Sequence, residues 1–164
     1  MSTDKPSPIR PTDDEARNLA RGLIAQARHA ALGVIDPETG SPMVTRIAFG
    51  KTPQGHPATL VSDLSHHTRA LKVNPSASLL LGEPGPRGDP LTHPRLTLQA
   101  VAHFLRQGEA GHAEVAAHWL HDHPKARLYI GFADFSFARF DVQRAYLNGG
   151  FGRAFVLTAD DLGF

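Results

Sequence analysis

The sequence predicts a mainly β protein: a predominantly antiparallel sheet of about six strands, flanked by three helices. Three observations lead there. Apolar residues recur at strand spacing, as in Met43, Thr45, Ile47 and Phe49, or Leu96, Leu98 and Ala100, which is the period of a pleated strand. The connections are short and rich in turn residues, as in Asp36-Pro37-Glu38-Thr39-Gly40, Gly50–Pro57 and Asn148-Gly149-Gly150, and suit hairpins. Only three stretches carry helical periodicity. A sheet of that size avoids exposed edges best by closing into a barrel.

Composition narrows the class further. At 164 residues the chain is expected to be one domain, burying roughly 70% of its unfolded surface. Apolar content of 41% and charged content of 20% describe an ordinary soluble protein. A net charge of +1 creates no field that would recruit nucleic acid or an anionic membrane, so neither is expected as a partner. The absence of cysteine excludes disulfides, thiolate metal sites and a cysteine nucleophile. No apolar stretch approaches about 18 residues and the N-terminus lacks an apolar signal region, so a cytoplasmic location is expected.

Residues 1–11 hold three prolines and read as a flexible tail, leaving 12–164 as the domain. Thr12, with Glu15 three positions on, opens a capping pattern for a helix over Asp13 to Arg28, where Leu19, Leu23 and Ala27 recur at helical spacing. Ala31–Ile35 is a short strand, and Met43–Phe49 a second, with Val44, Arg46 and Ala48 on its other face. After the Gly50–Pro57 loop, the run Ala58-Thr59-Leu60-Val61 ends in a cluster of Ser62, Ser65, His66, His67, Thr68 and Arg69, followed by a short helix that Asn74-Pro75 stops. Strand, hydroxyl- and cation-rich turn, helix start is an order suited to a phosphate group, because a helix N-terminus presents unpaired N–H groups and partial positive charge. Ser65 alone would serve equally well as a simple N-cap.

Ser78–Leu81 resumes as a strand, Gly82–Pro90 is loop, and Arg95–Arg106 is a long strand. Ala113–His121 is a helix with an apolar stripe of Val115, Ala116, Trp119 and Leu120. Phe135–Leu147 is the last long strand; its apolar phase shifts from Phe135/Phe137 to Phe140/Val142, which predicts a bulge near Arg139. Phe155–Leu157 closes the chain as a short strand. Phe132, Phe135, Phe137 and Phe140 are expected in the core and in contacts between subunits. His118 and His121 are three apart on one helix and His123 follows closely, but without cysteine or an HExxH pattern no metal site is expected there. Gly149-Gly150-Phe151-Gly152 lacks the spacing of a dinucleotide fingerprint and reads as a turn.

Four segments together resemble a known family: TRIAFG at Thr45–Gly50, LVSDLSHHTRALKVNP at Leu60–Pro75, DPLTHPRLTLQA at Asp89–Ala100 and YLNGGFGRAF at Tyr146–Phe155. Their order over roughly residues 12 to 156 resembles the FMN-binding split barrels related to pyridoxamine 5′-phosphate oxidase, and most closely their haem-utilisation branch. The resemblance implies a six-stranded antiparallel Greek-key split β-barrel with flanking helices, forming a homodimer with FMN in the clefts between subunits. It implies an FMN-dependent oxidoreductase with an unidentified small-molecule substrate or electron donor. Arg46 takes the place of the arginine that pairs with the FMN phosphate, Ser62 and Ser65 fall at hydroxyl positions, and Thr68 follows His67. His67 stands where the oxidases carry a phosphate-binding lysine, so FMN affinity is expected to weaken above neutral pH. The backbone of Ile47 and Ala48 faces the flavin edge, and Arg95 occupies a polar, flavin-facing position. No residue is assigned as catalytic. The branch resembled also implies an alternative, a haem-binding or haem-degrading protein. Some members hold haem with a histidine in a C-terminal extension; no histidine follows His123 here, so a ligand from the Ala113–His123 region is expected instead. A cofactor-free interaction module is the third reading.

Overall fold

Alternating burial along its strands curls a single antiparallel sheet around one apolar interior in the computed structural model, which describes residues 7–164. The elements are α1 (Asp14–Gln26), β1 (His29–Ile35), β2 (Pro42–Ala48), β3 (Gly50–Lys51), β4 (Pro57–Ser62), α2 (His66–Val73), β5 (Ser76–Leu81), β6 (Arg95–Arg106), α3 (His112–Asp122), β7 (Phe135–Asn148), β8 (Ala154–Leu157) and α4 (Ala159–Leu162). Short 3-10 turns occupy Pro90–Thr92 and Pro124–Leu128. The strand order is β2-β1-β5-β6-β7-β4-β3, with β8 also paired to β7. The first half of β7 pairs with β4 and its second half with β8. The path ends at β2 and β3, which form no ladder with each other, so the barrel stays split along a seam between β2 and β4. There the Thr59 hydroxyl donates to the Ala48 carbonyl at 2.6 Å.

This is the expected mainly β architecture with flanking helices, built from eight strands rather than six. The strand not expected is β3, two residues inside the expected Gly50–Pro57 loop, whereas β8 is the expected short closing strand lying outside the count of about six. The interior is filled by Leu32, Leu79, Leu96, Leu98, Phe140, Leu147 and Leu157, all fully buried, and α1 covers it with Ala16, Ala20 and Ile24. The flexible tail expected over residues 1–11 falls partly on residues 1–6, which lie outside the described residues. Ile9 forms a parallel bridge with Ala154, and the Arg10 N–H donates to the Ala154 carbonyl at 2.8 Å.

Three expectations are corrected. The N-cap of α1 is Asp13, which accepts from the Ala16 N–H at 2.8 Å, while Thr12 donates its hydroxyl to the Val156 carbonyl. The bulge in β7 lies at Gln143, where Gln99 pairs with Arg144 and Ala100 with Val142, and not near Arg139. The phase change there has another cause: both faces of the sheet are covered. Ala138, Phe140 and Val142 belong to the barrel interior, whereas Phe137 packs outward against Val115, Trp119 and Ala126 under α3. The third correction is α4, which the sequence reading leaves out.

α4 is tied to α1 through Asp161. Its carboxylate completes a capping box with Thr158 and accepts from Arg17 Nε at 2.7 Å, while Arg21 Nε donates to its carbonyl at 2.9 Å. The Thr158 N–H and then the Arg17 guanidinium hold the Asp161 carboxyl below its ordinary value. A depressed folded pKa stabilises the fold above the unfolded value of about 3.9 and stops doing so as pH falls through the folded value. Denaturant midpoints should therefore separate wild type from Asp161→Asn at pH 7 and converge below about pH 4. A gap that persists unchanged at pH 2.5 would contradict the assignment.

Candidate functional site

The seam between β2 and β4 is also where the hydroxyl-bearing turn falls. It forms a cleft of about 300 Å³ lined by Arg46, Ile47 and Ala48 from β2, Leu60, Val61 and Ser62 from β4, Ser65 and His67 at the start of α2, and Tyr129 and Phe135. Six of the eight expected site residues thus meet in one place. The two others do not. Thr68 is fully buried on the inner side of α2 with Leu71, so its hydroxyl cannot reach a ligand in the cleft. Arg95 sits at the opposite end of β6, paired with Asn148; its guanidinium donates to the Leu91 carbonyl at 2.9 Å, and it lines a separate cavity of about 210 Å³ beside Tyr146. Within one chain Arg95 is not part of this site.

Each side chain in the cleft has a distinct state. Arg46 is exposed and has no ion-pair partner among the described residues. Ser62 donates its hydroxyl to the Asp134 carboxylate and accepts from the Leu64 N–H at 3.1 Å. Its oxygen is therefore committed to the protein. Ser65 occupies the N-cap position of α2, but its hydroxyl makes no capping bond. Asp63, in the same turn, reaches away to Lys72 Nζ at 2.6 Å. His67 is half-buried, with Nδ1 3.1 Å from the Thr45 hydroxyl. Burial pushes its pKa below the ordinary 6.5, so the ring is neutral at pH 7. A lowered pKa moves the loss of His67 charge to lower pH than its ordinary value implies.

The sequence reading missed Thr45, Asp134 and Tyr129. Thr45 neighbours Arg46 on the other face of the same strand. Asp134 lies 72 positions from Ser62, and nothing local announces it. Tyr129 arrives through the 3-10 turn after α3, its ring tilted 40° against Phe135 at 5.1 Å. Phe135 forms a wall of the cleft, whereas Phe137 and Phe140 are buried. The α3 histidines are elsewhere: His123 bonds the Phe49 carbonyl through Nε2 at 2.9 Å and stacks on Trp119, while His118 and His121 are exposed. None of the three lines the cleft. No helix among the described residues is long and apolar enough to cross a membrane.

Comparison with known proteins gives a consistent picture. The family model described as CREG, beta-barrel matches residues 11–162. The chain is 34% identical over 118 residues to the chloroplast haem oxygenase HOZ of Arabidopsis thaliana, covering 71% of this chain but only 35% of that protein. It is 27% identical over 135 residues to the haem oxygenase HutZ of Vibrio cholerae, covering 80% of this chain and 74% of that protein. A solved haem-binding protein from Mycobacterium smegmatis superposes with a TM-score of 0.80 at 32% identity, covering 94% of this chain and 61% of the other. A general stress protein 26 relative of the pyridoxinephosphate oxidase family, from Clostridium acetobutylicum, superposes with a TM-score of 0.69 at 14% identity over 92% of this chain and 99% of its own. At that identity the likeness is one of fold.

Proposed function

The chain belongs to the CREG β-barrel family, and from that premise we propose that it binds haem in the β2–β4 cleft and works as a haem-binding or haem-degrading protein. This reverses the order expected from sequence, where FMN came first. The observation that carries it is the chemical character of the cleft. Leu60 gives it an apolar wall, the Tyr129–Phe135 pair gives it aromatic faces, and Arg46 is its one permanent cation. Haem, a flat apolar ring with carboxylates at one edge, suits that set: apolar and aromatic side chains hold the ring, and an arginine fork pairs with a carboxylate. A phosphate dianion would meet one cation, a histidine whose pKa burial lowers, and two serines of which Ser62 is already committed to Asp134.

Bound haem would supply an iron centre for oxygen or electron-transfer chemistry. The chain's part is to orient the ring through Arg46 and to keep water off one side of it through Leu60, Tyr129 and Phe135. At about 300 Å³ the cleft is at the small end of ligand sites. Leu64, Leu128 and Phe132, which flank its lining residues along the chain, are strongly exposed. Closure by a second copy of this chain accounts for both, so a homodimer remains part of the proposal.

Separate titrations of the purified protein with haemin and FMN test this reading. Haemin should produce a shifted Soret band with saturable binding, and FMN should bind at least about tenfold more weakly, a difference of about 1.4 kcal/mol. Arg46→Ala should weaken haemin binding about three- to tenfold, the range of an exposed charge-assisted contact. Tight FMN binding without haemin uptake would sink the proposal. One observation favours that second reading: the uncommitted Ser65 hydroxyl at the N-terminus of α2, on the same cleft as Arg46, resembles half of a phosphate site.

A further inference from the structure

We infer that His67 is the side chain that ligates the haem iron, an assignment that rests on the haem reading above and goes beyond it by naming the donor. Of the ten histidines in the chain, His67 is the one among the lining residues of the cleft. Its neighbour His66 is engaged elsewhere, with Nδ1 3.1 Å from Arg69 and Nε2 3.7 Å from Asp36. His123 holds the Phe49 carbonyl on another part of the fold.

The ring is prepared for this role in three ways. Metal ligation needs the neutral imidazole, and the half-buried setting of His67 disfavours the charged form. Its one hydrogen bond among the described residues is at Nδ1, to the Thr45 hydroxyl. In the tautomer with Nδ1–H donating to Thr45, Nε2 has its lone pair free for a ligand, and in either tautomer the bond holds the ring plane. Ligating histidines generally use a bond of this kind on their second nitrogen. The backbone beneath is anchored as well, because Thr68 and Leu71, on the same helix, are buried in the fold. A lysine here would be a point charge for phosphate; a half-buried, hydrogen-bonded histidine is a nitrogen donor of the kind that suits iron. Tyr129 is the competing donor, since its phenol belongs to the same cleft and phenolate also ligates haem iron.

Ferric haemin complexes of wild type, His67→Ala, His67→Gln, His66→Ala and Tyr129→Phe, compared by absorbance and electron paramagnetic resonance, decide the matter. His67→Ala should retain its far-ultraviolet dichroism, bind haemin at least about tenfold more weakly and lose the histidine-ligated signature. Added imidazole should restore that signature. His66→Ala should match wild type, and Tyr129→Phe should keep the histidine-ligated signature whatever its effect on affinity. Thr45→Val should shift the spectrum without abolishing ligation, and His67→Gln serves if the alanine variant does not fold. A His67→Ala or His67→Gln complex identical to wild type, or a signature lost only in Tyr129→Phe, would overturn the assignment. If wild type takes up no haemin at all, the haem reading itself fails and the ligand assignment falls with it.

Discussion

Trp119→Ala should destabilise the folded chain by about 3–5 kcal/mol, the cost of emptying a large aromatic site. Trp119 is 2% exposed; its ring meets Phe137 edge-on at 5.7 Å and stacks on His123 at 4.2 Å. Its indole N–H has no hydrogen-bond partner among the described residues, so the loss is one of packing, and Trp119→Phe should recover most of it. The same ring explains Gly50. A Cβ at Gly50 would lie 2.7 Å from Trp119 Cζ3, so Gly50→Ala should cost about 1–3 kcal/mol by overpacking. The two changes should not add: with the indole gone, the methyl has room, and the double variant should be more stable than the sum predicts. Urea denaturation of the four proteins measures this cycle. A Trp119→Ala loss below about 1 kcal/mol, or strict additivity, would show that α3 is not seated on β3 and β7 as described. The effect should also reach the cleft, because α3 leads through Pro124–Leu128 into Tyr129.

Gly82→Ala should be the other severe change, through the backbone rather than the core. Gly82 has φ +96°, and an added Cβ would stand 2.5 Å from the Pro94 carbonyl oxygen and 2.9 Å from Arg95 Cα. The left-handed conformation alone costs a residue with a side chain about 1–3 kcal/mol. The clash adds about 1–3 kcal/mol more, because backbone atoms cannot swing aside as a side chain can. Here the readouts should part company. Stability falls, yet haemin affinity per folded molecule should stay unchanged, since Gly82 adjoins Arg95 at the end of β6 remote from the cleft. A stability within about 0.5 kcal/mol of wild type, the usual range for a harmless surface change, would contradict this geometry.

How far the sequence reached depended on how local each feature is. The bounds of Arg95–Arg106 emerge from period-2 alternation alone, because one face of β6 is buried and the other is not. The same rule misleads at β7, where α3 covers the outer face and Phe137 and Phe140 are both buried; periodicity reports one buried face and cannot announce a second. Arg46, Ile47, Ala48, Ser62, Ser65 and His67 meet because a split barrel brings β2 beside the β4–α2 turn. Arg95 does not join them, since β6 has 12 residues and spans roughly 40 Å, with Arg95 at its far end. Thr68 is excluded by the rotational setting of an eight-residue helix, which its packing and not its sequence determines.

By itself, then, the sequence determined the mainly β class, the starts of α1 and α3 to within a residue, and the segment that bears the cleft. These follow from side-chain period and turn chemistry, which act between neighbours along the chain. Only the tertiary structure decided that Ser62 is held by Asp134, that Asp63 turns to Lys72, and that His67 is neutral and hydrogen-bonded to Thr45. Those states depend on desolvation and on partners brought from other strands and turns. A charge or a lone pair is set by what surrounds it in space.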